Sequence, residues 1–233
     1  MSWNAREHDP EYPFDLVSPT FKLSPRTTAL LVIDMQVDYL SIEKTSPLGA
    51  NYPAIAQAFN ARVEKVVKPG TLKLIQCFRR NGLRVAYTRN GCMTERGDEM
   101  SGRLRLLNSP PKIWRGTAGY EITPELFPLK EDLVVDKLTS GAFTSTQLDH
   151  ALRNYGATDL VITGLYTDMC VLGSARTAAE LGYNSLICED GCASLTQRAH
   201  DEALLMHARR FGRVSTVEEV ISEVGDGVLS PVS

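Results

Sequence analysis

Three residues of this 233-residue chain are set apart by their type and by where they stand. Asp34 ends the apolar run ALLVID (29–34), Lys137 ends DLVVDK (132–137), and Cys170 follows DLVIT (159–163) after the turn GLYTDM. A thiol is a weak nucleophile until it ionises. A helix N-terminus and a nearby ammonium both favour the thiolate. A carboxylate beside it can accept the thiol proton and later return it to a leaving amine. Backbone N–H groups of the Gly164–Cys170 turn can hold a developing oxyanion, a contribution of roughly 3–4 kcal/mol per donor. Each residue also has a plain alternative. A strand-end acid can be a cap or turn residue, a strand-end lysine can be solvated, and a cysteine can be a small core residue. Only their joint placement argues for nucleophilic attack on a carbonyl.

Joint placement requires elements that bring the three together. ALLVID, LRVAYT (83–88), DLVVDK, DLVIT, NSLICE (184–189) and VST (214–216) read as short buried strands. Helical stretches alternate with them. Pro53 to Lys68 is interrupted at Pro69-Gly70 and resumes as TLKLIQCFRRNG. Further helices run from a Thr144 cap to about Tyr155, from Cys170 to Leu181, and from a Thr196 cap to Arg210, and VEEVISEV is the last. Strands alternating with helices predict an α/β fold, a three-layer unit with a mostly parallel, doubly wound sheet. In such sheets ligands bind beyond the carboxyl ends of the strands, where strand order reverses. All three residues stand at such ends. The Pro-bearing residues 1–25 read as an extended arm, 26–225 as the folded unit, and 226–233 as a tail. The long connection 89–128 reads as functional loops.

Composition excludes several function classes. Net charge is −3, with 25 Lys+Arg against 28 Asp+Glu, so no basic surplus attracts nucleic acid or an acidic membrane. No run approaches the roughly 18 apolar residues of a membrane span. The polar start MSWNAREHDPEYPFD has no signal-peptide character, and a cytoplasmic location is the expectation. The five cysteines (Cys77, Cys92, Cys170, Cys188, Cys192) are odd in number and scattered, which argues against a disulfide framework. No second pair answers Cys188 and Cys192 at a zinc spacing.

The segments VIDMQVDY (32–39), VVDK (134–137) and VITGLYTDMCVLGSARTAAELGY (161–183) resemble the isochorismatase-like, or cysteine hydrolase, superfamily over roughly residues 25–223. Its motifs are a strand-end Asp, a strand-end Lys and a Gly-x-x-Thr-x-x-Cys turn, matched here by Asp34, Lys137 and Gly164 to Cys170. The resemblance implies a cis peptide at Leu165-Tyr166 that aims the N–H groups of Tyr166 and Cys170 at an oxyanion. It also implies a homodimer or homotetramer. Vinyl-ether-cleaving members do not use the cysteine, so Cys170 favours C–N hydrolysis. Nicotinamidase-type members carry an Asp-x-His metal site. The histidines here are His8, His150, His200 and His207, so no metal or cofactor is expected.

The remaining branch, the carbamoyl and ureido amidohydrolases, is also similar in its N-terminal arm and in RGTAGYEITPEL (115–126). The expected activity is hydrolysis of a small carbamoyl, ureido or primary amide, with ammonia released through a thioester-type intermediate. The rivals are a vinyl-ether hydrolase and a non-catalytic binding protein on the same fold. Around the trio, Gln36 is a candidate to touch substrate or orient Asp34, and Arg89 to pair with a substrate carboxylate. Trp114, Phe143, Tyr166 and Thr167 are candidates to line the pocket. Arg209 and Arg210 stand where biuret-type members would carry Gln, which points away from biuret and toward an anionic substrate.

Overall fold

The computed structural model describes residues 3–100, 102 and 113–225. Most of the expected loop between 101 and 112, and the tail 226–233, lie outside the described residues. Six strands form one sheet: β1 (Thr28–Ile33), β2 (Arg84–Asn90), β3 (Leu133–Lys137), β4 (Asp159–Leu165), β5 (Asn184–Ala193) and β6 (Gly212–Ser215). Their order is β3-β2-β1-β4-β5-β6 and every pairing is parallel. Chain progression reverses between β1 and β4, so the crevice of the fold opens there.

Helices cover both faces because the central strands are buried on both. The chain forms α1 (Ala5–His8), α2 (Phe14–Val17), α3 (Pro47–Asn51), α4 (Pro53–Arg62), α5 (Lys68–Arg80), α6 (Leu148–Asn154), α7 (Leu172–Glu180), α8 (Gln197–Arg210) and α9 (Val217–Gly225). Along β1, Leu30 and Val32 enter one apolar layer with Phe59, Phe78 and Val220. Ala29, Leu31 and Ile33 enter the other with Leu148, Val171, Ala175 and Leu204. This is the period-two alternation of a strand sandwiched between helical layers.

Pro69 does not break the helix as the sequence suggested. A π turn (Val63–Val67) joins α4 to α5, with the Lys68 N–H bonded to the Val63 carbonyl. The wider turn lets the chain pass a residue that lacks an N–H. The cap expected at Thr144 is also displaced. α6 starts at Leu148, whose N–H donates to Thr146 Oγ1 at 3.2 Å. Thr196 does cap α8, accepting from the Ala199 N–H at 3.1 Å.

The N-terminal arm lies on α8 and α9. Asp9 pairs with Arg209, and Tyr12 Oη donates to the Arg209 carbonyl at 3.4 Å. The Leu23 N–H donates to Glu223 at 2.6 Å. Among the described residues no helix is long and apolar enough to cross a membrane.

Candidate active site

β1, β3 and β4 deliver the trio to one point. Asp34 follows β1 directly and adopts a left-handed φ of 50°, a conformation that costs a non-glycine residue roughly 1 kcal/mol. Its N–H is held by the Thr88 carbonyl at 3.2 Å, and Thr88 Oγ1 donates to Asp34 Oδ1 at 2.6 Å. Asp34 Oδ2 is thereby turned to Lys137, whose Nζ lies 2.8 Å away. Lys137 Nζ is also 3.3 Å from Cys170 Sγ, and it donates to the carbonyls of Thr139 and Ser140 at 3.0 Å each. The side chains of Lys137 and Asp34 are only 0% and 2% exposed. The three N–H groups of the ammonium are taken by Cys170 Sγ and the two carbonyls, and Asp34 Oδ2 meets it as an ion pair, so Lys137 acts as a fixed positive charge between the acid and the thiol.

The turn after β4 needs its glycine. Gly164 has φ +122°, and a Cβ there would run into the Ile33 carbonyl oxygen, so only glycine lets β4 approach β1 so closely. The Leu165–Tyr166 peptide is cis. The Tyr166 carbonyl then accepts the N–H groups of Met169 and Val171 at 3.0 and 3.2 Å, winding the chain into the π turn Thr167–Val171 that carries Cys170. Burial pushes the Cys170 thiol up to about 12. The Asp34 charge adds to that rise and Lys137 opposes it. The resting sulfur is therefore a protonated thiol between an acid and a cation.

The other residues singled out by sequence sit as follows. Gln36 is fully buried. Its Nε2 donates to the carbonyls of Asn90 and Tyr120 at 3.0 and 2.8 Å, and its Oε1 accepts from the Asn90 N–H at 2.6 Å. It latches loops together rather than facing a ligand. Arg89 is held by Asp136 at 2.8 Å and Glu121 at 2.5 Å over the Tyr120 ring, on the strand face opposite Thr88 and Asn90. Two carboxylates already neutralise it, so a substrate carboxylate there would meet no unpaired charge. Thr167 is fully buried with its hydroxyl on His200, not open to a pocket. Phe143 packs against Tyr183, and Trp114 pairs with Cys92 in an isolated bridge. Arg209 is spent on the arm, in its pair with Asp9 and over the Tyr12 ring. Tyr166 does stand at the trio, its ring stacked on Phe59 at 5.3 Å and edge-on to Tyr39 at 6.4 Å.

Three residues that sequence reasoning passed over also belong here. Thr88 orients Asp34. Asn90 Nδ2 reaches Cys170 Sγ at 3.7 Å and the Thr139 carbonyl at 3.4 Å. Tyr39 is close enough to Asp34 and Cys170 that their charges, with burial as the larger cause, hold its phenol well above the ordinary value. Thr88 and Asn90 alternate on β2 with Arg89, so one face of that strand could have been read as facing Asp34.

A model of the isochorismatase domain matches residues 28–219. The chain belongs to the isochorismatase family. The ureidoacrylate amidohydrolase RutB of Serratia proteamaculans is 29% identical over 92% of this chain and 91% of its own length. A cysteine hydrolase from Pseudomonas syringae pv. phaseolicola superposes with a TM-score of 0.74 at 24% identity, covering 90% of this chain and 98% of that one. N-carbamoylsarcosine amidase from Thermoplasma acidophilum superposes with a TM-score of 0.62 at 24% identity over 82% and 97%. The two structures share the fold, and a second relative, from Pantoea ananatis, is likewise named a ureidoacrylate amidohydrolase.

Proposed function

We propose that this chain is a metal-independent cysteine amidohydrolase of a small carbamoyl, ureido or primary amide. The observation that carries the reading is the buried Lys137 ammonium, 2.8 Å from Asp34 and 3.3 Å from Cys170. The relatives named ureidoacrylate amidohydrolases support the substrate class.

The chemistry follows from the charges. When Cys170 attacks the carbonyl carbon, its proton passes to Asp34. Negative charge moves from the carboxylate to sulfur and then to the carbonyl oxygen. Lys137 touches both starting and receiving atoms, so the transfer keeps an ion pair throughout and avoids an uncompensated buried charge. The oxyanion rests on the N–H groups of Tyr166 and Cys170. Protonated Asp34 gives its proton to the departing nitrogen, ammonia leaves, and a thioester or thiocarbamate remains on Cys170. Water, deprotonated by Asp34, attacks that carbonyl. The product acid or carbamate departs and the thiol is restored. We further propose a cytoplasmic location and a homodimer or homotetramer, the latter measurable by sedimentation.

A panel of ureido compounds and primary amides assayed for ammonia tests the reading. Ammonia release from at least one, lost in Cys170→Ala, is the expected result. Turnover of an enol ether alone would overturn it.

A further inference from the structure

The chain carries a second buried polar cluster that the chemistry above does not use. It sits over the carboxyl end of β5, where α4 from one layer meets α8 from the other. His200 Nδ1 lies 2.8 Å from Thr167 Oγ1, inside the turn that leads to Cys170. On its other side Nε2 lies 3.0 Å from an Arg62 guanidinium nitrogen. Arg62 is itself fixed, donating to the carbonyls of Cys192 at 3.0 Å and Glu189 at 2.9 Å. Glu189 Oε2 stands 3.9 Å from Nε2, beyond hydrogen-bond reach. The ring is 1% exposed.

These contacts assign the tautomer from the chemistry of its neighbours. A guanidinium only donates, so Nε2 must accept from Arg62 and carry no proton. The ring proton is then on Nδ1, pointed at Thr167 Oγ1. A second proton on Nε2 would face the Arg62 cation at 3.0 Å, so the ring is held neutral. Burial first, and then Arg62, lower its pKa, while Glu189 and Asp201 pull the other way. The next residue of the turn, Asp168, is tied to Ser194 just before α8. Two consecutive turn residues are thus anchored to one segment, three and two positions before the nucleophile.

We propose that His200, locked by Arg62 as the Nδ1–H tautomer, is a positioning residue that holds the nucleophile turn through Thr167. Cys170 and the N–H groups of the turn must meet Lys137, Asp34 and the substrate carbonyl in one geometry, and Thr167 Oγ1 is the handle by which α8 sets it. The inference rests on the amidohydrolase reading only for its turnover readout.

Two substitutions separate position from bulk. In His200→Asn the amide nitrogen replaces Nδ1 and keeps the donor to Thr167. In His200→Gln the amide lies further out, near Nε2, and the Thr167 bond is lost. We expect His200→Gln to lower kcat roughly tenfold or more, with KM within about twofold, and His200→Asn to recover most of it. Iodoacetamide alkylation of Cys170, which needs no substrate, should slow in His200→Gln and recover in His200→Asn. Long-range proton–nitrogen NMR of the wild-type protein should show Nδ1 protonated and Nε2 bare. If His200→Gln does not fold, Thr167→Val, which deletes only the acceptor oxygen, must show the same losses. An Nε2–H tautomer overturns the proposal. So does equal loss in the Asn and Gln variants, or unchanged kcat and alkylation in Gln. A wild-type protein inert toward every amide would instead sink the amidohydrolase reading, and alkylation rates with the tautomer would still decide the role of His200.

Discussion

At the Cys170 sulfur, burial and the Asp34 charge oppose Lys137, and burial wins, holding the thiol up at about 12. That balance decides what Asp34 is for. A carboxylate that raises the thiol pKa does not stabilise a resting thiolate; in the proposed chemistry it receives the proton when substrate arrives. Asp34→Asn should therefore uncouple two properties that usually move together. Turnover should fall by about a thousandfold or more through the lost base. Iodoacetamide alkylation at pH 8 should quicken, roughly tenfold for each unit by which the thiol pKa drops. Slower alkylation alongside lost turnover would mean that Asp34 makes the thiolate in the free enzyme. Lys137→Met should do the reverse, slowing alkylation, because it removes the cation that opposes the rise. The trio was legible in sequence because apolar runs end visibly: Asp34 and Lys137 end such runs, and Cys170 follows the turn after one. The residues around it were not. Gln36, Arg89 and Thr167 carry groups that serve a ligand or a neighbour equally well. Their partners Asn90, Asp136 and His200 are 54, 47 and 33 positions away, distances that only the register of the sheet resolves.

At the scale of elements, the close parallel pairing of β1 and β4 sets how Asp34 and Cys170 meet. Gly164→Ala would push a methyl into the Ile33 carbonyl and force φ away from +122°. A loss of roughly 3 kcal/mol or more in unfolding free energy is expected, readable by urea denaturation. A loss below about 1 kcal/mol would mean that β4 can shift away from β1 without consequence. Strand existence and order of appearance were readable from apolar runs, and Thr196 from the capping preference of its type. The continuous path through Pro69 was not. A π turn supplies it, and nothing in VEKVV distinguishes a π turn from an α turn by residue type. The start of α6 was misplaced for a related reason: Thr144 has the residue type of a cap, but the helix begins after Gln147, and it is the Thr146 hydroxyl that meets the Leu148 N–H.

Across the whole molecule, a histidine far from the chemistry is expected to set part of the stability against acid. His207 of α8 is fully buried and its Nε2 lies 3.2 Å from the Ser185 carbonyl. Burial drives its pKa from 6.5 down to about 4, against the pull of hydrogen bonds to backbone carbonyls. The folded state binds a proton less readily than the unfolded one, so stability is intact above pH 6.5 and falls as pH drops toward 4. The integrated loss is about 3 kcal/mol. His200, also lowered, adds in the same direction. Denaturation midpoints measured between pH 7 and 4 should show this decline, and His207→Gln should flatten it. An equal slope in that variant would assign the acid sensitivity elsewhere.

The central claim of the proposed chemistry is that Cys170 bonds covalently to the substrate carbonyl. Rapid quenching of the protein with a slowly turned-over ureido compound, followed by peptide mass analysis, tests it most directly. The expected result is a Cys170 peptide carrying the substrate mass less ammonia, absent in Cys170→Ala and lost as product appears. Steady turnover with an unmodified Cys170, or turnover that survives Cys170→Ala, would contradict it.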